Sequence, residues 1–338
     1  MAKPGVRNSL TDVTGFLVGQ AQDAQVGSGV SVIVCERPAV CAADVRGGGP
    51  GTREIDLLAP ENLVEAVDAL VLSGGSVYGL GAADAVTAAL GAQGRGFPIG
   101  PGAPPAPIVP AAILFDLLNG GDKNWGETPP YARLGREALA GAAKDFALGN
   151  AGAGYGALAG ALKGGLGSAS LILSDGACIG ALAAVNSFGS VIMPGERAFW
   201  AWPFEIDGEF GGVRPDFAHP ADALDWGLSK AQAMPRANTT LGIVACDYAL
   251  TPAQAKRLAV MAQDGLARAI RPIHAPFDGD VVFALASGAR PLPEPAPRAL
   301  AILGAAAADV LARAVARGVF EAASLFGRPA YADLLRGA

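Results

Sequence analysis

The chain has 338 residues, of which 51% are hydrophobic and 17% charged, a composition typical of a packed globular protein and not of a disordered one. Its net charge is −6 and no cluster of Lys and Arg occurs, which excludes the usual basic footprint of a nucleic-acid-binding protein. Only two histidines are present, and the four cysteines fit no zinc spacing, so a His-rich metal site is excluded and a hydrolase is expected to use another general base.

The first part of the chain predicts one strand and three helices. Residues 30–36 form an apolar run typical of a buried strand, and residues 60–72 carry apolar side chains at helical spacing. The glycine-rich turn SGGSVYGLG and the Gly/Pro-rich residues 94–107 are predicted to be irregular. The two further helices are expected at 82–90 and 134–146.

The second part of the chain predicts alternating strands and helices around one long excursion. Residues 194–236 carry turn signals, aromatic residues and charges, and are expected to form an exposed loop. A strand is predicted to begin at Leu241, and Thr251-Pro252 predicts the start of a helix that ends near Ile270. The remaining elements are strands at 169–173, at 179–185 and after FDGD, and an Ala-rich helix at 298–323. This alternation predicts a layered α/β architecture in one domain.

The apolar stretches do not predict a membrane protein. The longest of them, such as residues 299–308, are short, whereas a membrane span needs about 20 apolar residues. The N-terminal residues MAKPGVRNSLTD contain no apolar signal region. We therefore expect a cytoplasmic protein that binds neither membrane nor nucleic acid.

The step from Asn238 to Thr239 has the form of a cleavage point. A long polar segment ends here, and the apolar strand that follows would hold a new N-terminus in place. A threonine that becomes N-terminal gains an α-amine with a reference pKa of about 8, which can deprotonate its own hydroxyl without histidine. From the local residues alone, a turn or helix cap remains the alternative.

Four further residues are candidates for the same chemistry. Asp278 and Asp280 flank a glycine before a buried strand, where they form either a turn or a site for an ammonium or hydroxyl group. Lys163 lies among Gly and Ala, either at the surface or beside an active amine whose pKa it would lower. Asn186 ends an apolar run, as a turn former or as an oxyanion donor.

Taken in order, the motifs of the whole chain resemble the self-processing L-aminopeptidase/D-esterase family, which includes β-peptidyl aminopeptidases and the endo-type 6-aminohexanoate (nylon) oligomer hydrolases. The motifs that carry the resemblance are SLTDVTGFLVGQAQD, DVRGGGPGTRE with DLLAP, LSGGSVYGLGAADAV, VPAAILFDL, GNAGAGYGA with KGGLG, AAVNSFGSV, NTTLGIVACD and FDGDVVFALAS. So many motifs in one order are far more specific than any one of them.

The resemblance implies an α/β fold of the N-terminal nucleophile hydrolase type, a four-layer αββα sandwich that cuts itself into chains 1–238 and 239–338. It implies cleavage after Asn238, and Thr239 as the nucleophile. The residues that match positions around the nucleophile in the nylon-oligomer branch are Lys163, Asn186, Asp278 and Asp280. No cofactor and no metal is implied, and the processed protomers are expected to form a homotetramer.

The segment VPAAILFDL departs from the nylon-oligomer branch in one position. That branch has a tyrosine where this chain has Phe115, so one hydroxyl contact to the substrate is missing. Tyr131 and Tyr155 are the candidates to replace it, and Thr240 lies beside the nucleophile.

The resemblance therefore predicts an amide hydrolase that forms an acyl-enzyme on an N-terminal threonine. The first expected substrates are linear amides such as 6-aminohexanoate oligomers. The alternative is an aminopeptidase or β-peptidyl aminopeptidase acting on peptides with a free N-terminus. Two other interpretations are an acyltransferase that passes the acyl group to an amine and a binding protein that leaves the chain uncut.

Overall fold

The computed structural model describes residues 2–216, 225–230 and 238–336. The strands are β1 Phe16–Asp23, β2 Ser28–Val45, β3 Thr52–Arg53, β4 Ala66–Ser73, β5 Ala111–Ile113, β6 Leu158–Ala159, β7 Leu162–Lys163, β8 Gly165–Ile172, β9 Cys178–Asn186, β10 Thr239–Ala249 and β11 Val281–Pro291. The helices are α1 Gly81–Ala92, α2 Tyr131–Ala140, α3 Pro252–Ala269, α4 Ala296–Phe320 and α5 Tyr331–Arg336.

Nine of these strands form one mixed sheet in the order β3-β5-β4-β2-β11-β10-β9-β8, with β1 paired to β2 outside this path. The pairs β10–β11 and β4–β5 are parallel, and the others are antiparallel. Strand β2 pairs with β4 along its first part and with β11 from Val40 to Val45, and its register against β4 shifts between Val34 and Ala39. This irregularity allows one long strand to belong to both halves of the sheet.

Three apolar clusters separate four layers. In β10, Leu241 and Ile243 face a cluster that also contains Leu70 and Leu72 of β4, so the two halves of the sheet pack face to face. The alternate residues, such as Val244, face α3 and α4. On the opposite side, alternate residues of β2 and β4 pack against α1 and α2. The layers are thus helix, sheet, sheet, helix, and the expected αββα sandwich is confirmed, with its two sheet layers joined through β2.

Helix α4 is long and apolar enough to cross a membrane by length and composition, but most of its apolar window is buried inside the protein. It packs on β8 through glycines: a Cβ at Gly167 would lie 1.9 Å from the carbonyl oxygen of Ala314. Because α4 packs against α3 and the sheet, its apolar side chains are buried within the protein.

Several sequence predictions are corrected by the fold. The helix predicted at 60–72 is wrong, because β4 covers Ala66–Ser73 and its buried residues pair with β2 and β5 on both edges. The helix predicted at 134–146 ends at Ala140, where Gly141 follows and Ala143 pairs with Val18 of β1.

The excursion predicted at 194–236 is exposed only in part. Phe199 and Phe210 are each 2% exposed and pack together in the core beneath α4. Residues 217–224 and 231–236 of this segment lie outside the described residues. The strand predicted at 30–36 exists but is much longer, because β2 runs from Ser28 to Val45. The other predicted strands and helices are confirmed, with ends that shift by a few residues.

Candidate active site

The Asn238–Thr239 junction lies at the buried end of the central strands. Thr239 is the first residue of β10 and pairs with Asn186, the last residue of β9. On the other side, Asn238 forms a single parallel bridge with Asp278, just before β11 begins. Asn238 and Thr239 are 1% and 4% exposed, so the peptide bond between them is held inside the protein. The predicted strand is confirmed, although it begins two residues earlier than Leu241.

The peptide bond itself is contacted from two directions. The Thr239 hydroxyl donates to the carbonyl oxygen of Asn238 at 2.5 Å, which brings the Thr239 oxygen beside the carbonyl group that precedes it. The N–H of Gly279 donates to the same carbonyl oxygen at 2.9 Å. A fixed N–H aimed at a carbonyl oxygen is the arrangement that stabilises negative charge when a nucleophile adds to the carbon.

The absence of a side chain at Gly279 leaves room for the Thr239 hydroxyl. A Cβ at this position would lie 2.5 Å from Thr239 Oγ1, so the close approach of the two segments requires glycine here. The sequence analysis selected Asp278 and Asp280 on either side, but nothing in it indicated that the backbone of Gly279 reaches the Asn238–Thr239 bond.

Asp280 orients the start of β10. It is fully buried, and its carboxylate accepts the N–H of Thr240 at 2.7 Å and the N–H of His274 at 3.1 Å. The ring nitrogen Nδ1 of His274 lies 3.0 Å from the same carboxylate. Thr240, predicted as a substrate contact, is fully buried, and its own hydroxyl has no partner among the described residues.

Asp278 presents an oxygen with no bonding partner. One carboxylate oxygen accepts the N–H of Ala275 at 2.8 Å, while Oδ1 is buried and unpartnered within the described part of the chain. Burial, and then the negative charge of Asp280, raise the pKa of Asp278 to about 7, and the positive charge of Lys230 acts in the opposite direction. Asp278 is therefore suited to exchanging a proton near neutral pH.

Lys163 is interior and not a surface residue. Its side chain is 1% exposed, and its ammonium donates to the carbonyl oxygens of Gly154, Ala157 and Gly164 at 3.0, 3.0 and 2.6 Å. A lysine has three N–H groups, so all are occupied by the glycine-rich segment around it. Burial lowers the pKa of Lys163 to about 7, against the attraction of Asp116.

Asn186 joins several segments at the site. Its side-chain oxygen accepts the N–H of Leu158 at 2.9 Å and an N–H of Asn119 at 3.2 Å, and its nitrogen donates to the carbonyl of Phe115 at 2.9 Å. These bonds of Asn186 hold neighbouring segments, and the carbonyl oxygen of Asn238 accepts from the Thr239 hydroxyl and the Gly279 N–H. The role of Asn186 as an oxyanion donor stays a prediction.

A cavity of about 430 Å³ opens beside Thr239. Its wall includes residues 48–51 and Ser76, Val77, Leu80, Ile113 and Phe115. Phe115 lies in this wall next to the threonine, and its role in substrate binding stays a prediction. The apolar side chains of this wall suit an aliphatic group, while Ser76 and Thr239 add polar groups to it.

Neither tyrosine replaces the missing hydroxyl at this wall. Tyr131 is fully buried, and its hydroxyl donates to Ser28, which in turn donates to Asp116 at 2.6 Å. Asp116 also accepts the N–H of Gly75, so this buried network supports the turn that precedes Ser76 and does not reach substrate. Tyr155 is half-buried after the turn Gly152–Gly154, outside the segments named for the wall.

Lys230, which no sequence motif singled out, lies beside the candidate site. Its ammonium lies 3.4 Å from both the main-chain oxygen and the side-chain oxygen of Asn186. Burial lowers the pKa of Lys230 to about 7, while the negative charge of Asp278 favours its protonated form. Nothing in its local sequence distinguishes Lys230 from a lysine in a surface loop.

Comparisons with known proteins agree on one family and fold. A sequence model of peptidase family S58 matches residues 8–331 of this chain. An uncharacterized aminopeptidase of Mycobacterium bovis is 46% identical over 348 residues, which cover 98% of this chain and 99% of that protein. A 6-aminohexanoate-oligomer endohydrolase of Kocuria sp. is 29% identical over 83% of this chain and 76% of its own length. The solved L-aminopeptidase D-Ala-esterase/amidase from Ochrobactrum anthropi, a variant of the Ntn hydrolase fold, superposes with a TM-score of 0.69 at 20% identity over 95% of this chain and 88% of that one.

Proposed function

Because the chain belongs to peptidase family S58, we propose that it is a self-processing amide hydrolase that cuts its own Asn238–Thr239 bond and then uses Thr239 as an N-terminal nucleophile. The family membership itself makes the chain an aminopeptidase-type hydrolase with an Ntn hydrolase fold. The identity of the nucleophile and the choice of substrate are the parts that we propose.

The observation that carries the proposal is the contact pattern at one peptide bond. The Thr239 hydroxyl lies 2.5 Å from the carbonyl oxygen of Asn238, which also accepts the Gly279 N–H at 2.9 Å. In self-cleavage, Thr239 Oγ1 adds to the Asn238 carbon and the C–N bond breaks as the nitrogen takes a proton. The resulting ester is then hydrolysed by water, which leaves a carboxylate on Asn238 and a free amine and hydroxyl on Thr239.

Turnover repeats the same addition on an external amide. The freed α-amine, with a reference pKa of about 8, accepts the proton of its own hydroxyl as Oγ1 attacks the substrate carbonyl. Positive charge near an amine lowers its pKa, and we propose that Lys163 and Lys230, in their charged forms, favour the neutral amine that can act as base. The Gly279 N–H, now released from Asn238, is available to the oxyanion of the substrate, a type of contact worth about 3 kcal/mol.

The apolar side chains of the cavity wall favour a substrate with an aliphatic acyl group next to the scissile amide. Val77, Leu80, Ile113 and Phe115 contribute to it, and burial of a methylene group against such side chains is worth about 0.8 kcal/mol. We therefore propose linear aliphatic amides, including 6-aminohexanoate oligomers, as substrates. The phenyl ring of Phe115 offers no hydrogen bond to the reacting amide, so we expect slow turnover.

A second candidate is supported by the relatives. The relative with 46% identity carries the name aminopeptidase, whereas the oligomer endohydrolase is 29% identical. The alternative substrate is thus a peptide with a free N-terminus, from which one residue is removed at a time.

Self-cleavage is tested on the purified protein by denaturing electrophoresis, intact mass and N-terminal sequencing. We expect two chains, and the smaller should begin Thr-Thr-Leu-Gly. Thr239→Ala should remain a single chain, while Thr239→Ser, which keeps a hydroxyl, should still be cut. Cleavage of Thr239→Ala at the wild-type rate would overturn the proposal.

The two substrate classes are separated by product analysis. Processed enzyme is incubated with aminohexanoate oligomers and, in parallel, with aminoacyl amides and peptides. Internal cleavage of the oligomers supports the first candidate. Release of single N-terminal amino acids with no oligomer hydrolysis supports the second and rejects the first.

A further inference from the structure

Lys230 is held at the site by contacts that do not pass through the Asn238–Thr239 bond. The carbonyl oxygen of Leu228 accepts the N–H of Ala161 at 2.7 Å, and the N–H of Lys230 donates to the carbonyl of Phe188 at 2.9 Å. These bonds fix residues 225–230 against the segment that precedes Lys163 and against the residues that follow Asn186. Since none of them involves residues 231–239, we expect Lys230 to stay in place after cleavage.

Aromatic side chains also link the segment that carries Lys230 to neighbouring parts of the site. The ring of Trp226 packs edge-on against Phe188 with centroids 5.8 Å apart, and Phe188 packs against Phe277 at 4.7 Å. Phe277 immediately precedes Asp278. The segment that carries Lys230 is thus packed against the segment that carries the unpartnered carboxylate.

The position of the ammonium gives it two electrostatic effects. It lies 3.4 Å from the side-chain oxygen of Asn186, and positive charge there makes the amide N–H groups of that side chain stronger donors. It also attracts the carboxylate of Asp278, which is buried beside a second carboxylate, Asp280. A buried pair of carboxylates is unfavourable unless positive charge is close.

We propose that Lys230 is a positioning residue of the active site, whose ammonium acts through Asn186 and Asp278 both in self-cleavage and in amide hydrolysis. This inference rests on the proposed function and adds a residue to its machinery. It also assigns a role to residues 225–230, which the sequence marked only as part of a loop.

Within the described residues, the following charged groups act on Lys230 and Asp278. Asp278 is acted on by Asp280, Lys230 and His274, and Lys230 by Asp278 and Arg328. Arg328 repels the ammonium, so Asp278 is the group that keeps it charged. Removal of Lys230 should therefore raise the pKa of Asp278 above its wild-type value of about 7.

The test compares Lys230→Met and Lys230→Arg with Lys144→Met in the full-length protein. Lys144 is a matched control because its ammonium also donates to a main-chain carbonyl, that of Phe16, and pairs with Glu36 away from the site. Self-cleavage is followed on denaturing gels, and kcat, KM and the pH profile are measured on the processed forms. Lys230→Gln replaces Lys230→Met if the latter does not fold.

Lys230→Met should slow self-cleavage and lower kcat by about tenfold or more, with KM changed by less than about threefold. Its pH profile should shift to higher pH, whereas Lys230→Arg should keep the wild-type profile and recover most of the rate. Lys144→Met should match the wild type.

Wild-type rates and an unshifted profile in Lys230→Met would overturn the inference. So would equal losses in the Met and Arg variants with no shift of the pH profile, since that pattern indicates packing alone. A wild-type chain that stays uncut and hydrolyses no amide would instead reject the proposed function, and this inference with it.

Discussion

Gly279 donates its N–H to the Asn238 carbonyl oxygen, and its lack of a side chain leaves room for the Thr239 hydroxyl. In Gly279→Ala, the new Cβ would lie 2.5 Å from Thr239 Oγ1, so the hydroxyl must move away from the Asn238 carbonyl. We expect self-cleavage to slow by at least about tenfold, which corresponds to about 1.4 kcal/mol in the barrier. The remaining single chain is quantified on denaturing gels over time.

Gly81→Ala is the control for that substitution. Nothing lies within 4 Å of a Cβ at Gly81, and its φ of −62° is compatible with alanine. It should be processed at the wild-type rate. If Gly279→Ala is processed as fast as Gly81→Ala, the Gly279 backbone has no part in cleavage.

The lowered pKa of Lys163 predicts that the stability of the protein depends on pH. Its pKa falls from 10.5 in the unfolded chain to about 7 in the folded protein, so between these values the unfolded chain binds more protons. The contribution of Lys163 to the free energy of unfolding must therefore increase as the pH rises from about 7 towards 10.5. In the uncut Thr239→Ala background, the free energy of unfolding of the Lys163 protein relative to Lys163→Met should increase by about 2 kcal/mol from about pH 7 to about pH 9.

Urea unfolding at the two pH values measures this difference. Lys144→Met in the same background serves as the reference for removing a lysine outside the site. If the free energies of unfolding with Lys163 and with Lys163→Met changed in parallel between the two pH values, the prediction would be wrong. The Lys163→Met variant would then show the same pH dependence as Lys144→Met.

At the residue scale, the sequence identified side chains but not their partners. Asp278, Asp280, Asn186 and Lys163 could be chosen because their motifs resemble those of a family. The Gly279 N–H could not, since a backbone donor leaves no mark in the residue type. Lys230 was missed because its role depends on the fold, which brings it next to Asn186.

At the scale of elements, the packing of α4 on β8 depends on glycine. A Cβ at Gly167 would lie 1.9 Å from the carbonyl oxygen of Ala314 and 2.4 Å from the nitrogen of Gly318. Both atoms are backbone, so the helix itself must shift. Gly167→Ala should therefore destabilise the uncut protein by about 3 kcal/mol, measured as a lower urea midpoint.

Gly81→Ala is again the matched control, because the same substitution at the start of α1 meets open space. It should stabilise the protein by about 0.5 kcal/mol, since alanine restricts the unfolded chain. Equal midpoints for Gly167→Ala and Gly81→Ala would show that α4 can move away from β8 at little cost.

The incorrect helix at 60–72 shows the limit of local periodicity. Leu63, Val67 and Leu70 have helical spacing, yet residues Ala66–Ser73 form β4 and are buried on both faces. A strand between two apolar layers has no polar side, so its pattern does not show a period of two. The pairing with β2 and β5 that decides the outcome involves residues distant in sequence. By contrast, α3 was predicted closely because its Thr251 cap and Pro252 are local signals.

For the whole molecule, we expect a homotetramer. Several large apolar side chains are well exposed in the single chain: Leu63 is 84% exposed, Ile99 63% and Leu118 62%. Such side chains would be covered if subunits associate through the surfaces that carry them. Light scattering should give a mass about four times the 33.8 kDa of one chain. A mass of one chain at all concentrations would contradict the prediction.

The four layers themselves could be predicted only through the resemblance to a family. Composition and alternation of elements indicated α/β layers, but not that two sheet layers would pack on each other. That arrangement depends on β2, whose change of register between Val34 and Ala39 lets it serve both halves of the sheet. The strand prediction at 30–36 ended where this irregularity begins.

The central position of β10 and β11 determines whether unfolding of the protein is reversible. If the chain is cut before Thr239, these two strands belong to one molecule, while their outer neighbours β9 and β2 belong to another. The uncut chain refolds in a unimolecular reaction, but the processed protein must first bring two separate chains together. After dilution from urea, Thr239→Ala should recover its native structure with a yield independent of concentration, and the yield of the processed enzyme should fall as the protein is diluted. A protein of this design therefore has one opportunity to fold as a single molecule, and the lifetime of the processed enzyme is set by how slowly it unfolds.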